Sequence, residues 1–217
     1  MKNRQRELLY RDTVLKWKLK HIEYKWCKQN PHNNIYIKCY SRMPLSVVSA
    51  GRYSYGTLHI HYYGNPQEYL KLGSFCSIAN DVHFVLGGEH HPEIVFNYTL
   101  KRSLGLDDNH SDDRCKGPIT IGDDVWIGSH CTILSGVTVE SGAIIAAGST
   151  VTKDVPAYSI YIGSKIYKYR FEQSIIEELK TINYDKLSMD KMRLKIDEIY
   201  QKVESNAIKD VLLDCYE

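Results

Sequence analysis

Ile121-Gly-Asp-Asp-Val-Trp, Ile127-Gly-Ser-His-Cys-Thr, Ile133-Leu-Ser-Gly-Val-Thr, Val139-Glu-Ser-Gly-Ala-Ile, Ile145-Ala-Ala-Gly-Ser-Thr and Val151-Thr-Lys-Asp-Val-Pro follow one another without a gap. Each of these six hexads opens on Ile or Val and carries a small or β-branched residue four positions later: Val125, Cys131, Val137, Ala143, Ser149 and Val155. Neither a 3.6-residue nor a two-residue period generates such a pattern. It describes a solenoid whose sides are short strands. The aliphatic residue points inward, the small residue fits where the chain bends, and Gly, Asp, Ser and Asn fill the turns because they tolerate unusual backbone angles.

A looser copy of the beat precedes it at Leu72-Gly-Ser-Phe-Cys-Ser, Ile78-Ala-Asn-Asp-Val-His and Phe84, and Ala50-Gly-Arg-Tyr-Ser-Tyr reads as the start of the first coil. Between Phe84 and Ile119 the beat stops. An excursion of that length inside a regular array is usually functional, and its root reads Gly87-Gly88-Glu89-His90-His91-Pro92.

The flanks read as helices. Leu8, Leu15, Leu19, Ile22 and Trp26 recur at helical spacing across residues 6–28, with basic residues between them. Phe171, Ile175, Leu179 and Ile182 form one stripe. Met192, Ile196, Ile199 and Val203 form a second, with Ser188 as its cap, and a short helix after Ser205 would bury Ile208, Val211 and Leu212. These C-terminal helices are expected to cover the open end of the coil. The expected organisation is an N-terminal helix at 1–30, a solenoid at 46–166 with its loop at 87–118, and a helical region at 170–217.

Composition narrows the function. No apolar run approaches the roughly 20 residues of a membrane span, and Trp17, Lys18, Lys20 and His21 interrupt any signal-like segment, so a cytoplasmic location is expected. The six cysteines form no CxxC pair and have no metal-ligand spacing, which reads as reduced thiols. Residues 1–29 carry nine Lys/Arg against three Asp/Glu, and residues 172–217 carry seven against eleven. Neither end is basic enough to argue for nucleic acid, although the N-terminal helix suits packing on the solenoid or on a neighbouring subunit, or peripheral contact with an anionic membrane face or polysaccharide-assembly enzymes.

Nine histidines are available to act as a base. His32 falls in a linker, His59 and His61 alternate as in a strand, and His83 and His130 take solvent-facing solenoid positions. His110 sits among Asp107, Asp108, Asp112 and Asp113 in the loop. His90 and His91 stand apart, held on a Gly-Gly turn where the loop leaves the coil. From spacing alone, either remains open.

Gly73-Ser-Phe-Cys-Ser-Ile-Ala, Gly87-Gly-Glu-His and Ile121-Gly-Asp-Asp-Val-Trp-Ile-Gly together resemble the xenobiotic and saccharide O-acetyltransferase branch of the hexapeptide-repeat superfamily, over residues 48 to 185. The resemblance implies a mainly β fold: a single-stranded left-handed parallel β-helix with a long protruding loop, an N-terminal helix and C-terminal α-helices. It implies acetyl-CoA as cosubstrate with no metal, and a homotrimer whose sites lie between subunits. His90 takes the place of the catalytic base, with His91 as the alternative. Positions matching the coenzyme groove are Trp126, Ser129, Ala147, Thr152 and Lys153, with Lys165, Lys168 and Arg170 placed for phosphates. The segment Gly163-Ser-Lys165 is two residues shorter than the family's usual Gly-Asn-Pro-Ala-Lys.

For the acceptor, His61-Tyr62-Tyr63-Gly64-Asn65-Pro66 resembles an element of saccharide-modifying members, whereas Tyr53-Ser-Tyr55-Gly56-Thr57 and Phe96-Asn97-Tyr98 depart from the drug-modifying pattern. A sugar hydroxyl of a capsule or O-antigen polysaccharide is the favoured acceptor, with Tyr55, Tyr63 and Asn97 as candidate contacts. An antibiotic such as chloramphenicol or a streptogramin is the alternative, ahead of a γ-carbonic-anhydrase-like hydratase or a non-catalytic scaffold.

Overall fold

The computed structural model describes residues 2–106, 112–203 and 207–217, with no side-chain description for 2–12 and 207. His110, Asp107, Asp108, Ser205 and the side chain of Leu8 therefore lie outside the described residues. In chain order the elements are α1 (Lys2–Gln29), β1 (Asn34–Cys39), β2 (Val48–Ala50), β3 (Tyr55–His61), β4 (Leu70–Leu72), β5 (Ser77–Ile78), β6 (Val82–Val85) and α2 (Leu100–Ser103). They continue as β7 (Ile119–Ile121), β8 (Trp126–Ile127), β9 (Thr132–Leu134), β10 (Thr138–Val139), β11 (Ile144–Ile145), β12 (Thr150–Val151), β13 (Ser159–Ile162) and β14 (Lys165–Tyr169). Helices α3 (Gln173–Leu179), α4 (Met189–Leu194), α5 (Ile196–Ile199) and α6 (Ala207–Asp214) close the chain.

The strands stack into a three-sided, left-handed parallel β-helix. One face is β2-β4-β7-β10. The second runs through β5, β8, β11 and β13, the third through β6, β9 and β12, and the long strand β3 belongs to both, pairing with β5 at Tyr55 and with β6 from Leu58 to His61. Register follows the repeat: Ile121 sits beside Val139, Ile127 beside Ile145 and Ile133 beside Val151, each pair 18 residues apart. Ile121, Ile127, Ile133, Val139, Ile145 and Val151 are essentially inaccessible and form the core column. Corners are turned by residues with positive φ: Phe75, Asp124 and Tyr158 mark one corner, and Asp81 and His130 another.

Three features depart from the sequence expectations. The sheet begins at β1, upstream of residue 46, because Ile35, Ile37 and Cys39 point inward in a two-residue alternation that a six-residue search does not register. The C-terminal helices do not cap the coil but lie along its flank. The outward Phe75 and Tyr158 form an apolar ridge at one corner, and Tyr184, Ile175, Ile176 and Leu179 pack on it. Arg52 donates to Leu187 O at 2.7 Å and Ser74 Oγ to Asp185 Oδ1 at 2.8 Å, which fixes the helices to early coils as well. Ser188 precedes α4 without a side-chain capping bond; its backbone N–H donates to Cys215 O at 2.8 Å.

The N-terminal end of the core is covered by α1 instead, with Trp26 buried and its Nε1–H donating to Ile35 O at 3.1 Å. Among the described side chains of α1, Leu19, Ile22 and Trp26 pack on the core; Trp17 and Tyr24 stay exposed. The cysteines are free thiols, and burial pushes those of Cys39 and Cys76 up to about 12, so they pack rather than react.

On the outer side of β3, His59 and His61 meet His83 of β6. Tyr40 covers them, its hydroxyl 2.7 Å from His59 Nδ1, and His61 Nε2 lies 2.8 Å from His83 Nδ1. Asp81 faces His59 and His130 at 3.7 and 3.8 Å. Burial first, then the neighbouring imidazole of His83, hold His59 and His61 below the usual histidine range, with Lys38 adding to the effect on His59 and Asp81 opposing it. A histidine depressed in the folded state binds its proton more readily when unfolded. The cluster's contribution is therefore fully present above the unfolded value of 6.5 and is lost as pH falls below it. We expect the melting temperature to drop between pH 7.5 and pH 5.5, and to drop less in His59→Gln/His61→Gln; a double variant with the wild-type pH slope would contradict this.

Candidate active site

The excursion starts at the end of β6 and is closed at its neck. Phe84 pairs with Ile133 across 49 residues (133 − 84), and subtracting one 18-residue coil leaves an insertion of 31. Glu89 and Arg114 form an antiparallel bridge with backbone bonds in both directions, one of them 2.6 Å. The Glu89 carboxylate accepts from Ser135 Oγ at 2.9 Å and faces Lys116 Nζ at 3.5 Å, which ties the neck to the coil beneath. Farther out, Asp112 accepts from Arg102 N at 2.7 Å and Asp113 pairs with the Arg102 guanidinium at 3.2 Å; both carboxylates are buried. The loop thus has its own internal frame.

Gly87 and Gly88 are required by close approach. A Cβ on Gly87 would lie 2.8 Å from Glu68 Oε1, and one on Gly88, whose φ is +81°, would lie 2.7 Å from the Tyr63 ring. Glu68 is buried and accepts from Tyr63 N at 2.8 Å and Asn65 N at 2.9 Å, so one carboxylate organises the loop that holds Tyr63 against the turn.

Beyond that turn, His90 is exposed and its Nδ1 hydrogen-bonds the backbone carbonyl of Asn97. A carbonyl only accepts, so in the neutral ring Nδ1 carries the proton and Nε2 presents its lone pair outward. That is the tautomer a general base needs. His91 is held differently, with Nδ1 2.9 Å from Glu93 Oε1, and Arg114 approaches the other Glu93 oxygen at 3.5 Å. The hydrogen bond from His91 holds the Glu93 carboxyl below its usual range.

The remaining residues singled out from the sequence fall into separate groups. Tyr63 and Asn97 join His90. Tyr55 and Trp126 share a row on the second face, each in register with Ser77, and both are about half exposed. Ser129 and Ala147 stack at the corner between the second and third faces, where Gly148 N donates to Ser129 O at 2.8 Å. Thr152 and Lys153 are exposed just past β12. Lys168 is exposed on β14, which returns antiparallel to β13 through the short Gly163-Ser164 turn. Arg170 donates to Gly142 O at 2.5 Å, lies 3.7 Å from Asp124 and packs over the Tyr158 and Phe171 rings, so its guanidinium is engaged with the helical flank. Sequence reasoning missed Glu68 and Ser135, which no motif marks, and the hold of the Asn97 carbonyl on His90.

Within one chain, His90 and the Ser129–Ala147 corner stand at opposite ends of the third face: Ser129 precedes β9, and Ser135, which holds the loop neck, follows it. At the rise of a strand, that separation is roughly 20 Å.

The family described as "Bacterial transferase hexapeptide (six repeats)" matches residues 118–153. A probable macrolide acetyltransferase of Lysinibacillus sphaericus is 37% identical over 134 residues, covering 57% of this chain and 73% of that protein. A chloramphenicol acetyltransferase of Morganella morganii is 31% identical over 165 residues, covering 67% and 79%. A hexapeptide-repeat acetyltransferase from Vibrio cholerae superposes with a TM-score of 0.54 at 18% identity, over 74% of this chain and 93% of that one, and so shares the fold. The chain belongs to the hexapeptide-repeat acetyltransferases, enzymes that transfer an acetyl group from acetyl-CoA.

Gly88→Ala tests the turn. The added Cβ meets the Tyr63 ring in a left-handed conformation that alanine resists. We expect a folded protein with unchanged circular dichroism and acetyl transfer reduced at least about tenfold, as a misplacement on the order of 1 Å can produce; undiminished turnover would show that the turn does not position the site.

Proposed function

We propose that the protein transfers the acetyl group of acetyl-CoA to a sugar hydroxyl of a surface polysaccharide, a capsule or O-antigen, with His90 as general base. The observation that carries this reading is the Asn97 carbonyl on His90 Nδ1, which leaves Nε2 free to take a proton. As the acceptor oxygen attacks the thioester carbonyl, Nε2 removes its proton. The tetrahedral intermediate then collapses by breaking the C–S bond, and the imidazolium returns the proton to the departing thiolate. No covalent acyl-enzyme is formed. Tyr63, fixed against Gly88 beside the base, supplies an aromatic wall for a sugar ring, while Trp126, Ser129, Ala147, Thr152, Lys153 and Lys168 line the coenzyme path.

Separation of the base from the coenzyme corner favours a homotrimer in which His90 of one subunit faces the groove residues of the next. The enzyme works in the cytoplasm, where acetyl-CoA is made. A second reading, an antibiotic acceptor, is supported by the names of the two relatives, a probable macrolide and a chloramphenicol acetyltransferase. The His61–Pro66 element and the Tyr63 wall favour the sugar.

Acetyl-CoA consumption against a panel of capsule saccharides, chloramphenicol and a macrolide separates the two acceptors. His90→Ala should lose two or more orders of magnitude, about the contribution of a general base, while His91→Ala should keep most turnover; the reverse result would move the assignment to His91. For the assembly, light scattering should give about three times 25.1 kDa. Co-expressed His90→Ala and Ala147→Trp chains, each inactive alone, should recover part of the activity. A monomer, or mixed chains that stay inactive, would exclude a shared site.

A further inference from the structure

A trough of about 1050 Å³ runs between α1 and β1, away from the catalytic loop. Its walls carry four aromatic side chains that a soluble domain has no packing reason to expose: Trp17, Tyr24, Tyr36 and Tyr40, with 66%, 65%, 59% and 45% of their surfaces open. Among the described residues, Lys16, Lys20 and Lys38 line it together with one carboxylate, Glu23. Flat aromatic rings receive the C–H faces of pyranose rings, and ammonium groups pair with carboxylates along an acidic glycan. Aromatic platforms interleaved with lysines are therefore complementary to an anionic oligosaccharide.

The strand that borders the trough also leads toward the base. Thr57 of β3 lines it, and because Leu58 and Ile60 point into the core, Thr57, His59 and His61 form the outward row of that strand. Tyr40 closes the trough onto this row, its ring stacked 4.5 Å above His61. Two residues further on, Tyr63 lies against Gly88, which sets His90. From Thr57 to Tyr63 the strand rise gives about 20 Å, the span of a short oligosaccharide.

The geometry points to the α1/β1 trough as an exosite that holds an acidic polysaccharide chain while a residue farther along the same chain reaches His90. The acceptor is thus a polymer or oligomer rather than a free monosaccharide. This rests on the saccharide reading above.

Binding of full-length protein to oligosialic acid and hyaluronan decasaccharide, with maltohexaose as the neutral control, is measured by calorimetry without acetyl-CoA. We expect at least one acidic oligomer to bind, to weaken with salt, and to weaken at least tenfold in Trp17→Ala/Tyr36→Ala and in Lys16→Gln/Lys20→Gln, with melting curves unchanged. Wherever a saccharide is acetylated, the same variants should lose transfer to the oligomer and keep transfer to its monosaccharide. Equal binding by wild type and variants, no binding by either acidic oligomer, or binding only to phosphatidylglycerol vesicles would overturn the proposal. Because the binding arm needs no turnover, an enzyme that acetylates an antibiotic alone but binds oligomers in the trough would refute the acceptor reading and leave the exosite standing.

Discussion

The inward side chains of successive coils must lie directly over one another, and the backbone bonds between coils hold them there. Ile133 over Val151 and Ile127 over Ile145 leave no freedom of register, since a slip of one residue would turn every aliphatic side chain outward. This constraint sets what an insertion can do. The chain between Phe84 and Ile133 must leave the stack and re-enter it one strand spacing away, whatever it does in between. The insertion is therefore pinned at both ends by fully buried side chains of the core column, and its first residues inherit that rigidity. His90 lies six residues beyond Phe84 for this reason. A base that must meet its substrate within tenths of an ångström is better set at the edge of a stack than at the tip of a loop.

Each further contact around His90 extends the same rigidity outward. Glu68 holds the Tyr63 loop under the Gly-Gly turn, Glu89 and Ser135 join the loop neck to the next coil, and Asn97 turns the imidazole into the tautomer that accepts a proton. The carboxylates here act as struts, receiving backbone N–H groups and hydroxyls rather than protons from a substrate. In the proposed reaction one imidazole takes the proton, and acidic side chains set its position.

The flank has a different logic. Corners of the coil demand positive φ, and where the sequence places Phe75 and Tyr158 instead of glycine, aromatic rings project into solvent. Covering them accounts for the C-terminal helices and for the engagement of Arg170 with Asp124, Gly142 and the two rings around it. The engagement of Arg170 thus follows from an aromatic corner that the repeat itself creates.

What the chain alone determines is the coil from Ile119 to Val155, the excursion and the short list of His90 and His91, because a six-residue period and an interruption of it are local properties of the residues. The strand β1 escapes such reading because its alternation is brief and mixes Lys38 and Tyr36 with the apolar positions. The tautomer of His90, the buried Glu68, the flanking rather than capping helices and the division of the candidate residues among separate corners are settled only in three dimensions. His90 with Asn97 and Glu68 with Tyr63 meet through irregular loop geometry, whereas the flanking helices depend on pairs far apart in sequence, such as Ser74 with Asp185 or Arg52 with Leu187; neither kind of meeting leaves a periodic trace in the residues themselves.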